Sequence, residues 1–221
     1  MRKPYICIFA KSPRPGSVKT RLASEVGSER AAALAAAFSR DTWSAVRALR
    51  WARPVLATTD ANEKDWDFAR RADVWLQGNG DLGERVERVL RRALRSAPFA
   101  IALGIDTPGL PRSFVEQARN ALHTSDAVLG PCEDGGFYLL GLKECPRGLL
   151  RNLPWSTGDT FVQTLTRLRR RGYLTQILPR WFDVDRPSDL ARLQSLLSRG
   201  DISARETARL LAKSSSGSGR R

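Results

Sequence analysis

Between Phe9 and Leu22 the chain reads FAKSPRPGSVKTRL, which places Lys11, Lys19 and Arg21 around a Pro-Gly turn directly after the apolar run Tyr5 to Phe9. A loop of this kind at a strand's carboxyl end suits phosphate, because backbone N–H groups and cations meet negative charge there. The spacing is neither the Walker pattern nor Gly-x-Gly-x-x-Gly, so no standard nucleotide fingerprint is matched. On its own the segment also fits a surface turn made by Pro13, Pro15 and Gly16 with solvated cations.

Phosphate chemistry on a nucleotide calls for a divalent cation, and magnesium-type sites use one or two hard carboxylates together with substrate phosphates. Asp106, Asp183 and Asp185 are the best suppliers of metal ligands. Asp106 ends the apolar run Phe99 to Leu103 beside a helix-breaking proline, and Asp183 and Asp185 alternate at a strand end, so they share a side. Asp185 or Ser188 also fits the weaker reading of a cap for the helix that follows. Glu133 and Asp134 precede two glycines where backbone approaches the same crevice, and Asp-Gly is also a strong hairpin signal.

Other chemistries are poorly supplied. Cys7, Cys132 and Cys145 are an odd number with no Cys-x-x-Cys spacing, and His123 is the one histidine, so neither a disulfide framework nor a zinc cluster is indicated. His123 falls at a predicted helix end, away from the motif-rich loops, which argues against a His-based catalytic triad. The net charge of +14 and a pI near 10.9 raise nucleic acid as a partner. The arginines are scattered over amphipathic helices, with no zinc finger and no aromatic-interleaved RNA motif, so a solvated basic surface is the better reading and specific nucleic-acid binding is not expected.

The elements that must position these residues follow from the hydrophobic pattern. Strands are predicted at Tyr5 to Phe9, Pro54 to Thr59, Val74 to Leu76, Phe99 to Leu103, Ala127 to Leu129, Phe137 to Leu140 and Leu174 to Leu178. Helices are predicted over Ser28 to Arg50, Asp65 to Arg71, Leu82 to Leu94, Arg112 to Leu122, from Ser156 or Thr157 to Arg171, from about Ser188, and after a Ser203 to Glu206 capping box. Strands alternating with helices argue for a largely parallel sheet between helical layers. Residues 1–212 are expected as one domain and 213–221, rich in Ser and Gly, as a flexible tail. No apolar run approaches the roughly 18 residues that span a bilayer and no secretory leader is evident, so a cytoplasmic protein is expected.

Six segments in order, FAKSPRPGSVKTRL, GNGDLGERV, GIDTPGL, GPCEDGGFYLLGL, PWST and DVDRPSDL, resemble the bacterial glycosyltransferase-A-like transferases associated with radical-SAM genes or arsenosugar biosynthesis. The resemblance covers about Tyr5 to Leu196. That family is similar to the nucleotide-diphospho-sugar transferase superfold, which includes the molybdenum-cofactor and phospholactate guanylyltransferases. It implies a three-layer α/β/α sandwich with a mostly parallel mixed sheet. It further implies that Ala10, Lys11, Pro15, Gly16, Lys19, Arg21 and Gly83 hold the nucleotide and that Asp106 is the superfold's metal-binding acid. Asp185, with Asp183, would then be a second contact to Mg2+ or Mn2+. Gly104-Ile105-Asp106 supplies only the last acid of the Asp-x-Asp pattern common in glycosyltransferases of this fold.

Two reactions are compatible with these parts. In glycosyl transfer from a nucleotide-diphospho-sugar to a small-molecule acceptor, Glu133, Asp134 or Asp159 would be the base. In nucleotidyl transfer, guanylyl or cytidylyl in type, a substrate phosphate attacks the α-phosphorus while Lys19 and Arg21 steady the charge. Glycosyl transfer is the expected activity. A basic module that binds nucleic acid is the non-enzymatic alternative.

Overall fold

Strand β1 (Tyr5–Ala10) alternates its side chains between two apolar layers, and this alternation organises the molecule. The computed structural model describes residues 2–60 and 62–215. Ile6 and Ile8 face one layer, where they meet Leu56, Ile101, Leu103, Val128 and Leu139, while Tyr5 and Cys7 face the other with Val55, Ala57, Ala100, Ala102 and Leu140. The remaining strands are β2 (Arg53–Thr58), β3 (Val74–Leu76), β4 (Ala100–Gly104), β5 (Ala127–Pro131), β6 (Phe137–Leu142) and β7 (Thr175–Ile177). They form one sheet in the order β3-β2-β1-β4-β6-β5-β7. Only β6 runs against its neighbours, pairing antiparallel with both β4 and β5. The fold is the expected α/β/α sandwich with a mostly parallel mixed sheet.

Helices cover both faces. On the Ile6 side lie α2 (Ser28–Arg47), through Trp43 and Val46, and α4 (Arg112–Thr124), through Val115, Ala118 and Leu122. On the Cys7 side lie α3 (Leu82–Leu94), through Val86, Val89, Leu90 and Ala93, and α5 (Thr160–Arg170), through Leu168. A third cluster joins α1 (Thr20–Val26), α2, α6 (Pro187–Arg199) and α7 (Arg205–Ser215) by packing Leu22, Leu34, Phe38, Val184, Leu193 and Leu211. Among the described residues no helix is long and apolar enough to cross a membrane.

Several predicted boundaries change. The stretch Asp65 to Arg71 is not a helix but two short 3-10 turns, Glu63–Trp66 and Arg71–Asp73. Trp66 is buried and its ring N–H donates to Asp60 O at 2.9 Å, so the chain must fold inward there. The loop after β1 ends in a helix, α1, that the spacing did not suggest. α2 stops at Arg47, three residues early, and α5 begins at Thr160, because Ser156 has φ +62° and cannot enter a helix. α7 reaches Ser215, so the expected tail is helical at 213–215, while residues 216–221 lie outside the described residues.

Candidate active site

The parallel register sets Ala10 beside Thr58 and Phe9 beside Gly104 at the carboxyl edge of the sheet. The segments leaving β1 and β4 there carry Lys11 and Asp106. A third segment is pinned beside them: the Val184 amide donates to Asp106 O at 2.8 Å, and Val184 itself is buried. Period two then turns Asp183 and Asp185 together into a cleft of about 530 Å³, which Ala10, Lys11, Lys19, Asp106 and Asp134 also line. This is the position at which open α/β sheets hold their ligands.

Lys19 is the centre of the rim. Its side chain is only 5% exposed, and its Nζ lies 2.5 Å from Asp106 Oδ1 and 2.8 Å from Asp185 Oδ1. Burial alone pulls the ammonium pKa down, but the charges and hydrogen bonds of the two carboxylates outweigh it, and the net shift is upward. Lys19 adopts a left-handed backbone (φ 49°) immediately before α1, and this geometry aims its side chain inward instead of out along the loop. Neither carboxylate is spent on capping α6, since Asp189 accepts from the Asp185 and Arg186 amides at 3.1 and 2.7 Å.

Asp183 sits deeper among like charges. Burial first, then Asp134 and Asp185, push its carboxyl up to about 6. The Oδ atoms of Asp134 and Asp183 and the Sγ of Cys132 lie within 4.8 Å of one another. Burial and all four nearby carboxylates raise the Cys132 thiol, so the sulfur keeps its proton. The oxygens of Asp106, Asp134, Asp183 and Asp185 are therefore the donors that could hold a hard cation such as Mg2+ or Mn2+. Three cations, Lys11, Lys19 and Arg85, face these four acids in the cleft, an excess of one negative charge. An anionic ligand such as a diphosphate would need that balance reversed, and a divalent cation held by these acids would reverse it.

The opposite wall is apolar. Phe9, Leu82, Val86, Phe137 and Trp155 line it, with Phe137 and Trp155 edge-to-face at 5.8 Å. Gln77 stands at its end, 3% exposed, with Nε2 donating to Ala57 O at 2.8 Å and Ala10 O at 3.3 Å. Two carbonyls on one side fix which end of the amide is which, so Oε1 faces Arg85, whose guanidinium approaches at 3.4 Å. A flat aromatic base and a polar edge would be served by such a wall.

Other expected residues stand elsewhere. Glu133 does not line the cleft: its carboxylate is held by Arg192 of α6 at 2.7 and 3.1 Å, and this contact lowers its pKa. Pro15, Gly16 and Arg21 are exposed and outside the lining, and Asp159 is exposed at the start of α5. Gly83 is buried in packing, where a Cβ would overlap the Leu150 carbonyl and crowd Trp155 Nε1. His123 lies against Phe99 at the far end of α4. Cleft residues that the sequence reading missed include Gln77, Arg85, Trp155 and Thr157. For Gln77 and Arg85 the available signal was their place on either side of the Gly78 to Asp81 turn.

Comparison with known proteins bears on this geometry. The structure superposes on a protein of Desulfovibrio desulfuricans G20, provisionally named a nucleotide-diphospho-sugar transferase, with TM-score 0.84 and 29% identity over 98% of this chain and 96% of that one. It is similar in fold to the 4-diphosphocytidyl-2C-methyl-D-erythritol synthase of Anaerococcus prevotii DSM 20548, with TM-score 0.59 and 12% identity over 89% and 96% of the two chains. It is also similar to a CMP:2-keto-3-deoxy-manno-octonic acid synthetase complexed with CTP, with TM-score 0.57 and 16% identity over 90% and 99%. No curated protein matches the chain. The nucleotide-diphospho-sugar transferase fold is thus shown, and because the family model matches residues 34–157, the chain belongs to the family described as "Uncharacterized protein conserved in bacteria (DUF2064)".

Proposed function

We propose that the protein is a metal-assisted transferase that uses a nucleotide-activated donor, and that it moves a glycosyl group from a nucleotide-diphospho-sugar to a small-molecule acceptor. The observation that carries this reading is the meeting of Lys19, Asp106 and Asp185 at the edge of a cleft whose other wall is apolar and aromatic. The wall takes the nucleoside and the charged rim takes the diphosphate. The provisional name of the Desulfovibrio protein supports the donor class, and the resemblance to transferases of arsenosugar biosynthesis fits a small acceptor.

In this reading Asp106, Asp183 and Asp185 hold Mg2+ or Mn2+, which supplies charge neutralisation to the diphosphate. Lys11 and Arg85, neither of them paired with a carboxylate among the described residues, meet phosphate oxygens, Arg85 while held by its contacts to Gln77 Oε1 and Asp81 O. Asp134 lines the cleft with Oδ1 accepting from the Gly136 amide at 2.8 Å, and its second oxygen is the base for an acceptor hydroxyl. The acceptor oxygen bonds to the anomeric carbon, the carbon–oxygen bond to the diphosphate breaks, Asp134 takes the hydroxyl proton, and nucleoside diphosphate leaves.

Calorimetric titration with nucleoside triphosphates and nucleotide sugars, with and without Mg2+ or Mn2+, tests this directly. A metal-dependent response to nucleotide sugars, lost in Asp106→Asn at unchanged circular dichroism, is expected. A response to triphosphates alone, with pyrophosphate release, would replace glycosyl by nucleotidyl transfer, and metal-independent binding at full strength in Asp106→Asn would remove the metal role.

A further inference from the structure

From Thr160 to Phe182 the chain carries five arginines and no acidic residue. Four of them, Arg167, Arg169, Arg170 and Arg171, crowd the last turn of α5, and the last three are exposed. Arg167 donates to Arg151 O, which brings the exposed Arg151 and the loop of exposed Arg147 alongside. Among the described residues none of these arginines is in an ion pair, although Arg40, Arg112, Arg192 and others elsewhere are. The helix's own C-terminal carbonyls offset only part of this charge.

Apolar side chains mark the same region. Among the described residues the exposed large hydrophobic ones are Leu76, Val162, Leu174 and Ile177, at 57%, 55%, 58% and 46% exposure, and all but Leu76 belong to α5, β7 or the turn between them. Val162 and Arg169 are seven residues apart on α5 and share a face, since seven residues make almost two whole turns. β7 is the edge of the sheet, paired with β5 alone. Exposed cations beside exposed aliphatic chains match the surface of an anionic bilayer, where arginines meet headgroup phosphates and the aliphatics enter the acyl boundary. Single-stranded nucleic acid would ask for exposed aromatic faces. The aromatics of this stretch are not exposed: Phe161, Tyr173 and Trp181 are half-buried and Phe182 is buried, and the Tyr173 hydroxyl donates to Glu144 O at 3.4 Å.

We propose that the α5–β7 edge docks the protein reversibly on membranes rich in anionic lipid, through Arg169, Arg170 and Arg171 with Val162 and Leu174. Val162 follows Thr160, a cleft residue, by two positions, so the docking face extends from the cleft rim to the basic end of α5. The inference stands apart from the transferase reading, because no residue in it belongs to the proposed donor or metal site.

The test is co-sedimentation of the full chain with vesicles of phosphatidylcholine alone or mixed equally with phosphatidylglycerol. Binding to the anionic vesicles only, weakening as salt rises from about 0.1 M to about 0.5 M, is expected. The triple variant R169Q/R170Q/R171Q should partition about a hundredfold less, while R47Q/R50Q/R205Q, with the same change in net charge, should bind as the unaltered chain does. Unchanged melting temperatures confirm folding, and the salt titration of the unaltered chain stands even if a variant unfolds. V162S/L174S should lower binding by a factor that persists at high salt. Equal losses in both triple variants, absence of vesicle binding, or preference for an RNA oligonucleotide with the same variant dependence would each overturn the proposal.

Discussion

Lys19 and Asp185, 166 residues apart in the chain, meet at 2.8 Å, and this contact ties the loop after the first strand to the segment that precedes α6. Asp106 completes the triad from the end of β4. The ammonium holds together two carboxylates that would otherwise repel each other. The first loop thus supplies a cation committed to carboxylates as well as Lys11, which is not.

Removing that ammonium has a double consequence. Lys19→Met leaves Asp106 and Asp185 facing each other, and the loss should be about 2 kcal/mol at neutral pH, less than for a fully buried pair because both carboxylates keep partial solvent access. Lys19 has a raised folded-state pKa, so its contribution is complete below the ordinary lysine range and disappears only as pH rises through the folded value. Urea unfolding at pH 7 measures the loss. The thermal shift given by Mg2+ should become larger in the variant, since the cation replaces a missing charge, and a smaller shift would show that the metal does not use these acids.

Asp183 makes stability depend on mild acid. Its folded pKa of about 6 lies above the unfolded carboxylate value, so the proton-bound form is favoured by the fold. The favourable contribution is full below the unfolded value and is lost as pH rises through about 6. Without metal, the protein should lose about 1 kcal/mol between pH 4 and pH 7.5 from this group, after allowance for its partial exposure. Asp183→Asn should flatten that part of the profile in thermal melts, and a profile identical to the unaltered chain would refute the assignment.

The acids were legible in the sequence because each stands at a pattern break: Asp106 where an apolar strand stops, and Asp183 and Asp185 at period two around the apolar Val184. The sandwich was legible for the same reason, since alternation and helical stripes are local signals. What Lys19 touches was not legible, for its inward aim depends on a left-handed backbone at a residue other than glycine. Glu133 looked like a site residue beside its two glycines, yet its partner Arg192 comes 59 residues later and only packing puts them together. Gln77 and Arg85 flank a turn and look like ordinary loop polarity until the sheet brings the carbonyls of Ala10 and Ala57 to the Gln77 amide.

Gly83 shows how a motif glycine can act through packing. It lies in the first turn of α3, where Asp81 and Glu84 form a reciprocal cap, and the helix there presses on the Leu150 carbonyl and the Trp155 ring. A methyl group at this position has backbone in its way, so Gly83→Ala should cost about 2 kcal/mol by overpacking. Trp155 lines the cleft, so its fluorescence should change in the variant and nucleotide affinity should fall with it. Gly148→Ala, at a glycine with open space around it but φ +77°, separates the two causes: it should destabilise through backbone strain without disturbing Trp155.

The last helix depends on a residue far from it in sequence. The Ser203 to Glu206 pattern suggests a local capping box, but the donors at the start of α7 go to Asp41 of α2. Its Oδ1 accepts from the Glu206 amide at 2.8 Å, and its Oδ2 accepts from the Thr207 amide at 2.9 Å and the Thr207 hydroxyl at 2.6 Å. Both Asp41 and Thr207 are buried, so water cannot replace the carboxylate. Asp41→Ala should therefore cost about 2 kcal/mol or more, above a typical exposed cap, because three donors lose a charged acceptor. Asp41→Asn, which retains one acceptor oxygen, should recover part of the loss. Hydrogen exchange resolves the effect: amides of α7 should lose protection far more than those of β1 or β4. Uniform loss across the sheet would mean that Asp41 supports the whole core and is not confined to docking α7.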